Sequence, residues 1–173
     1  MKIDEQLERA GIKGGTWVDA GCGTGAYTFA LADHATKVIG IDISLREIDI
    51  LKEHINKFSN HYIHKHNAKI ETRIQDFNES HWLEELVDGV IFTFSLHYQK
   101  DRHLPLRAAW NQLKPGGMVI IIDYDRTDPV PWIPIPFPFK EAIKVVRESG
   151  FTNTTPRHLD ERFYILSAEK RNN

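Results

Sequence analysis

Cysteine is nearly absent: Cys22 is the single thiol in 173 residues. An intrachain disulfide is therefore excluded, and the chain reads as one made for a reducing compartment. Long apolar runs are missing as well. No stretch approaches the roughly 20 residues that cross a bilayer. The first residues, Met1-Lys2-Ile3-Asp4-Glu5, lack the apolar centre of a secretory signal. The expectation is a soluble cytoplasmic protein. Neither sign of charge is in excess, since 22 Lys and Arg stand against 24 Asp and Glu, a formal net charge of −2. That balance gives no electrostatic footprint for a polyanion and argues against a nucleic-acid or membrane-surface partner. A metal-ligand set is lacking too. His61, His64 and His66 are close in sequence, but no acidic or cysteine set accompanies them at a defined spacing, so no metal is expected.

What is present is ordinary globular material, 41% hydrophobic and 27% charged. The length suits one domain over residues 1–173, with roughly 70% of the unfolded surface buried. The chain is organised around Trp17-Val18-Asp19-Ala20-Gly21-Cys22-Gly23-Thr24-Gly25-Ala26-Tyr27. A short apolar run ends in an acid, three glycines follow at alternate positions, and a helix-like segment begins. This reads as a strand, a tight turn and a helix start, where bare backbone and free N–H groups receive a nucleotide-type ligand.

The remainder alternates between two periodicities. Residues 1–15 form a short helical lead-in, expected at the sheet edge. Lys37–Ile41 is a second strand, and Ser44 with Glu47 marks the start of the next helix. That helix carries Leu45, Ile48, Leu51, Ile55 and Phe58 before a polar loop over 59–67. Strands are expected at 70–74, 90–94 and 118–122, the middle one apolar enough to be buried on both faces. A turn or short helix is expected at 82–86, a helix over 104–113 stopped by Lys114-Pro115-Gly116-Gly117, and a helix over 140–149. A proline-rich loop fills 124–139. A β pair, 151–155 and 162–168 joined by 156–160, closes the chain. Alternating β and α predicts a three-layer, doubly wound α/β fold. Its sheet is seven-stranded and mostly parallel, with an antiparallel strand at the C-terminal end. Right-handed crossovers then place the ligand beyond the strand C-termini. Asp19, Asp42, Asp76 and Ser95 all fall at such ends.

The glycines alone do not name the ligand. Gly21, Gly23 and Ala26 also satisfy the dinucleotide pattern, and Asp42 stands seventeen positions after Gly25, where a ribose-binding acid is expected. A nicotinamide-dependent oxidoreductase is thus one reading. Asp19 favours another. A carboxylate directly before the turn would repel a pyrophosphate and would suit a ligand carrying an amino group and a sulfonium.

Five pieces in order decide between them: Val18–Gly25, Gly40–Ser44, Ile74–Phe77, Phe94–Tyr98 and Leu113–Val119. With them the sequence resembles the class I S-adenosylmethionine-dependent methyltransferases (EC 2.1.1.-), specifically the small type 11-like family. The resemblance implies S-adenosylmethionine as cofactor and a small-molecule methyl acceptor. It also implies residue roles. The backbone of Gly21, Cys22, Gly23 and Gly25 would approach the methionine part, and Asp19 would orient its amino group. Asp42 would accept from the ribose hydroxyls, with Ile43 on adenine. Asp76 would accept from the adenine amino group beside Phe77. Ser95 would lie near the methionine end. Cys22 is expected to be small and inert, because nothing places a base beside it.

Methyl transfer needs in-line positioning, and a base only when the acceptor carries a proton. His97 and Tyr98 are the catalytic candidates by location, with a packing role for His97 as the competing reading. The loop at 124–139, with Trp132, Ile133, Ile135, Phe137 and Phe139, is read either as a lid over the acceptor or as a segment packed on the sheet edge. Family members often carry a longer N-terminal cover. The acceptor site is therefore closed by this loop, by a second subunit in a homodimer or hetero-complex, or by a bulky acceptor. The remaining alternative is a cofactor-binding partner subunit without activity of its own. The Asn-Pro-Pro-Tyr type of motif used by nucleic-acid amino-methylating enzymes is replaced by Phe94-Ser95-Leu96-His97.

Overall fold

The computed structural model describes residues 1–66 and 68–172, the side chains of 58–66 excepted. The elements are α1 (Ile3–Ala10), β1 (Thr16–Ala20), α2 (Ala26–Leu31), β2 (Lys37–Asp42), α3 (Leu45–His66) and β3 (Lys69–Ile74). They continue with β4 (Val87–Thr93), a 3₁₀ turn at Leu96–Tyr98, α4 (His103–Gln112), β5 (Leu113–Tyr124), α5 (Phe139–Glu148), β6 (Thr152–Leu159) and β7 (Phe163–Glu169). The sheet order is β3-β2-β1-β4-β5-β7-β6. Strands β1 to β5 run parallel, and β7 is antiparallel to both β5 and β6. The chain reverses its winding between β1 and β4, so a crevice opens beyond their C-terminal ends.

Side chains alternate across the central strands, as the two-residue period requires. Val90 and Phe92 pack with Leu106 and Val146 on the α4/α5 face. Ile91 joins Leu7, Leu31 and Ile120 on the α1/α2 face. The α1 helix lies on the sheet face beside the edge, against α2, β7 and the edge strand β6. Its Leu7 and Ala10 are fully buried. Ser44 caps α3 as expected, its Oγ accepting the Glu47 N–H at 3.3 Å. In place of the polar loop expected over 59–67, α3 continues to His66; residue 67 and the side chains of the histidines 61, 64 and 66 lie outside the described set.

Two local expectations change, and a third is narrowed to one of its two readings. Residues 82–86 make an irregular turn, so β3 passes to β4 without a helix; the Gln112 side chain accepts the Trp82 and Leu83 N–H groups at 3.2 and 3.0 Å. The Lys114–Gly117 segment belongs to β5: pairing jumps from Val87↔Leu113 to Gly89↔Met118, and the extra residues bulge opposite Asp88. Last, β6 runs through Pro156 to Leu159. Proline is tolerated there because β6 is an edge strand and its register shifts between Pro156 and His158. The turn is made by Asp160, whose Oδ1 accepts the N–H groups of Arg162 and Phe163 at 2.8 and 3.0 Å. Among the described residues no helix is long and apolar enough to cross a membrane.

Candidate active site

Where β1 leaves the sheet, the N–H groups of Gly21 and Cys22 both donate to the Ile41 carbonyl, at 2.9 and 3.0 Å. Gly21 has φ +81, and a Cβ there would stand 2.8 Å from Ser95 Cβ and 3.1 Å from Phe77 Cε1. Only glycine meets both demands. Gly25, at φ +97, starts α2, and a Cβ on it would collide with Leu51 Cδ1. The open side of Gly23 meets nothing nearer than Glu47 Oε2 at 4.0 Å. Cys22 turns its side chain away, into a cluster with Ile48 and Leu51. Burial, then Asp19 and Asp42, push its thiol far above the usual range.

Asp42 holds the turn together. Its Oδ2 accepts the Gly23 N–H and its Oδ1 the Ser44 N–H, each at 2.9 Å. Each oxygen keeps a lone pair for a further donor. Asp76 accepts from the Asn78 N–H at 2.8 Å and the Asn78 amide at 3.0 Å, both on Oδ1. The Asn78 amide also donates to Gln99 Oε1 at 3.1 Å. Ser95 Oγ donates to the Ala20 carbonyl at 3.1 Å and so ties the exit of β4 to that of β1. Gly21, Asp42, Ile43, Asp76, Phe77 and Ser95 line one cavity of about 330 Å³, together with Gln75, Asn78, Phe94, Tyr98 and Gln99.

Asp19 sits beneath the turn with no exposed surface. Its Oδ2 accepts the Thr28 hydroxyl at 2.7 Å, while its Oδ1 is buried without a partner. Burial is the largest influence on it and raises its pKa to about 7; the Thr28 bond lowers it and Asp42 raises it. A buried carboxylate oxygen without a donor is costly, and one placed at the C-terminal end of a central strand is suited to receive a cation.

Beyond Ser95 the walls are aromatic. Phe94 has φ +49, a conformation that costs a side-chain-bearing residue roughly 1–2 kcal/mol. Its ring lies 4.7 Å from Tyr124 and 6.2 Å from Tyr27. His97 is 2% exposed and does not line the cavity. Its Nδ1 is 2.7 Å from Asp123 Oδ1, and its backbone N–H donates to Asp123 Oδ2 at 3.2 Å. A carboxylate only accepts, so Nδ1 carries a proton in this contact. Tyr98 lines the cavity, lies 4.2 Å from the His97 ring, and donates its hydroxyl to the Trp132 carbonyl at 3.2 Å.

The proline-rich loop is docked. Arg102 Nη2 donates to the carbonyls of Ile135 and Pro136 at 2.6 and 3.0 Å, and its guanidinium covers the Phe137 ring at 4.9 Å. Tyr164 donates to the Phe137 carbonyl, and Ile133 and Phe137 are buried. A tight turn between Val130 and Ile133 leaves Trp132 at its tip, 62% exposed.

A family pattern described as a methyltransferase domain matches residues 18–121, which span β1 through the middle of β5. The chain belongs to this methyltransferase family. Among curated relatives, this methyltransferase chain is 26% identical to phosphoethanolamine N-methyltransferase 1 of Arabidopsis thaliana, over 92% of the chain and 33% of that protein. It is also 26% identical to a ubiquinone biosynthesis O-methyltransferase of Pseudomonas paraeruginosa, over 73% and 51%. The chain thus spans a third of the first relative and half of the second. Among solved structures, a methyltransferase from Aquifex aeolicus superposes with a TM-score of 0.78 at 19% identity, over 97% of this chain and 89% of that one. The [4+2]-cyclase SpnF superposes with 0.81 at 16% identity, over 99% and 81%. The methyltransferase cofactor is S-adenosylmethionine, and the unpartnered Asp19 Oδ1 and the cradle at Gly21 fit it.

Sequence reasoning missed several members of the site. Thr28, Asp123 and Arg102 act through buried polar contacts that no local pattern announces. Asn78 had a weak signal, standing two residues after Asp76 as an Asx-turn partner does.

Proposed function

We propose that this chain transfers a methyl group from S-adenosylmethionine to a small-molecule acceptor entering between Tyr98 and the Trp132 tip. One observation carries the reading: the buried Asp19 carboxylate has one oxygen held by Thr28 and the other unpartnered, at the strand end where the cofactor's amino group is expected. Asp42 then serves the ribose, Ile43 and Phe77 flank the adenine, and Asp76 takes its amino group. The backbone from Gly21 through Gly25 lies along the methionine part, with Ser95 beside it. The cofactor supplies a methyl carbon already activated on a sulfonium. The chain's own part is to align the acceptor and, where that acceptor loses a proton, to receive it. His97 Nε2 is the group we assign to that step; it does not line the cavity and becomes reachable only when acceptor binding opens the wall beside Tyr98, which shapes the entrance. A pyrophosphate-bearing nicotinamide cofactor would face the Asp19 carboxylate unfavourably.

The N- and O-methyltransferases among the relatives support a nitrogen or an oxygen as the atom methylated, and amine and phenol probes sample the two. The test has two parts. Thermal unfolding is followed with S-adenosylhomocysteine and with NADH, and formation of S-adenosylhomocysteine from S-adenosylmethionine is followed with ethanolamine, phosphoethanolamine and a catechol. Stabilisation by S-adenosylhomocysteine alone, with turnover on an amine or phenol, is expected. Stabilisation by NADH alone overturns the cofactor reading, and cofactor binding without turnover across a broad amine and phenol series overturns the catalytic one.

A further inference from the structure

We propose that Thr28 is a positioning residue of the cofactor site: its buried hydroxyl fixes the Asp19 carboxylate so that Oδ1 faces the ammonium group of the cofactor. The inference rests on the reading of Asp19 as the ammonium ligand.

Thr28 lies in the first turn of α2 and has no exposed surface. A threonine there commonly bonds back to a carbonyl of its own helix. This one instead donates to Asp19 Oδ2 at 2.7 Å, across to the end of β1. The terminal torsion of an aspartate is soft and roughly two-fold. A single donor on one oxygen removes that freedom and defines which oxygen is left over. That oxygen, Oδ1, is buried and unpartnered.

The groups around Asp19 make the bond matter. Asp42 from β2 raises its pKa, and the Tyr27 hydroxyl from α2 and the Cys22 thiol from the turn both feel its charge. No cation is among these groups. Thr28 is the group that opposes burial and keeps the carboxylate ionisable near neutral pH, where its pKa is about 7. An ammonium ligand needs the ionised form. Binding therefore expels a proton from Asp19 below pH 7, and affinity falls as the pH drops. Removing the Thr28 hydroxyl shifts the carboxylate further toward its protonated form.

Thr28→Val preserves shape and removes the donor; Thr28→Ser restores it. The probes are S-adenosylhomocysteine and 5′-methylthioadenosine, which lacks the amino-acid end. Binding is followed by calorimetry in buffers of different ionisation heat, at about pH 6 and about pH 8.5. For Thr28→Val the expected result is roughly tenfold or greater weakening of S-adenosylhomocysteine at the lower pH, a smaller loss at the higher pH, and unchanged 5′-methylthioadenosine. Thr28→Ser binds like the wild type. The wild type releases protons with the first probe and none with the second. Equal weakening of both probes, or wild-type binding of S-adenosylhomocysteine by Thr28→Val, overturns the proposal. Wild-type binding by Asp19→Asn instead removes the underlying reading, and is separable because it does not involve Thr28.

Discussion

His97 and Asp123 bring two polar side chains out of water at the ends of neighbouring strands, and each satisfies the other at 2.7 Å. Asp123 also accepts the Tyr124 N–H at 2.8 Å, so one carboxylate closes the exits of both β4 and β5. Two consequences separate a base from a clip. Replacing His97 by Gln is expected to lower kcat by roughly 10²-fold or more on a proton-bearing acceptor, with S-adenosylhomocysteine affinity unchanged. Steady-state kinetics with whichever of the amine and phenol probes turns over checks this, and an unchanged kcat leaves His97 a structural clip. Gly21 is the other residue whose replacement has a defined outcome. Alanine there would need a positive φ and would press on Ser95 Cβ. Gly21→Ala should cost about 1–3 kcal/mol in urea unfolding and abolish cofactor binding.

At the scale of elements, the proline-rich loop is held by one side chain more than by its own prolines. Arg102, 7% exposed, reaches from the start of α4 to two loop carbonyls and the Phe137 ring. Asp125 Oδ1 accepts the Phe139 N–H at 2.9 Å and so secures the far end of the loop where α5 begins. Arg102→Met should cost about 2–4 kcal/mol, because two carbonyls lose a charged donor. Limited proteolysis should then open the chain near Trp132, which the wild type resists. The sequence pointed to the loop through its prolines and aromatic residues, yet offered two readings of it. Which one holds depends on a single arginine whose local context, Asp101-Arg102-His103, looks like solvent-facing charge. The strands show the same division. Continuous apolar runs such as Val90-Ile91-Phe92 were plain, because burial on both faces leaves no other pattern. The extension of β6 through Pro156 was not, because tolerance of proline depends on which strand is at the edge.

The whole molecule presents polar residues at equivalent strand ends, and most of that edge was legible in the sequence. Asp19, Asp42, Asp76 and Ser95 were found because the βα order puts strand C-termini on one side. Thr28 and Asp123 were not, because their roles are pairings across the fold. The same edge makes the empty protein less stable than its sequence allows. Asp19 has a folded pKa of about 7 against an ordinary 3.8. The fold thus binds a proton there that the unfolded chain has already released. The stability this gives is complete below about pH 4 and is lost as the pH rises through about 7. Asp19→Asn should therefore raise the stability of the empty protein at about pH 8 by roughly 2–4 kcal/mol, while removing the partner of the cofactor's ammonium group.

That pairing of effects is the most direct test. Wild type and Asp19→Asn are unfolded thermally at about pH 8 with and without saturating S-adenosylhomocysteine. The account predicts that the variant melts higher than the wild type when empty and gains nothing from the ligand, whereas the wild type gains several degrees. A variant that is stabilised by S-adenosylhomocysteine as much as the wild type would contradict it.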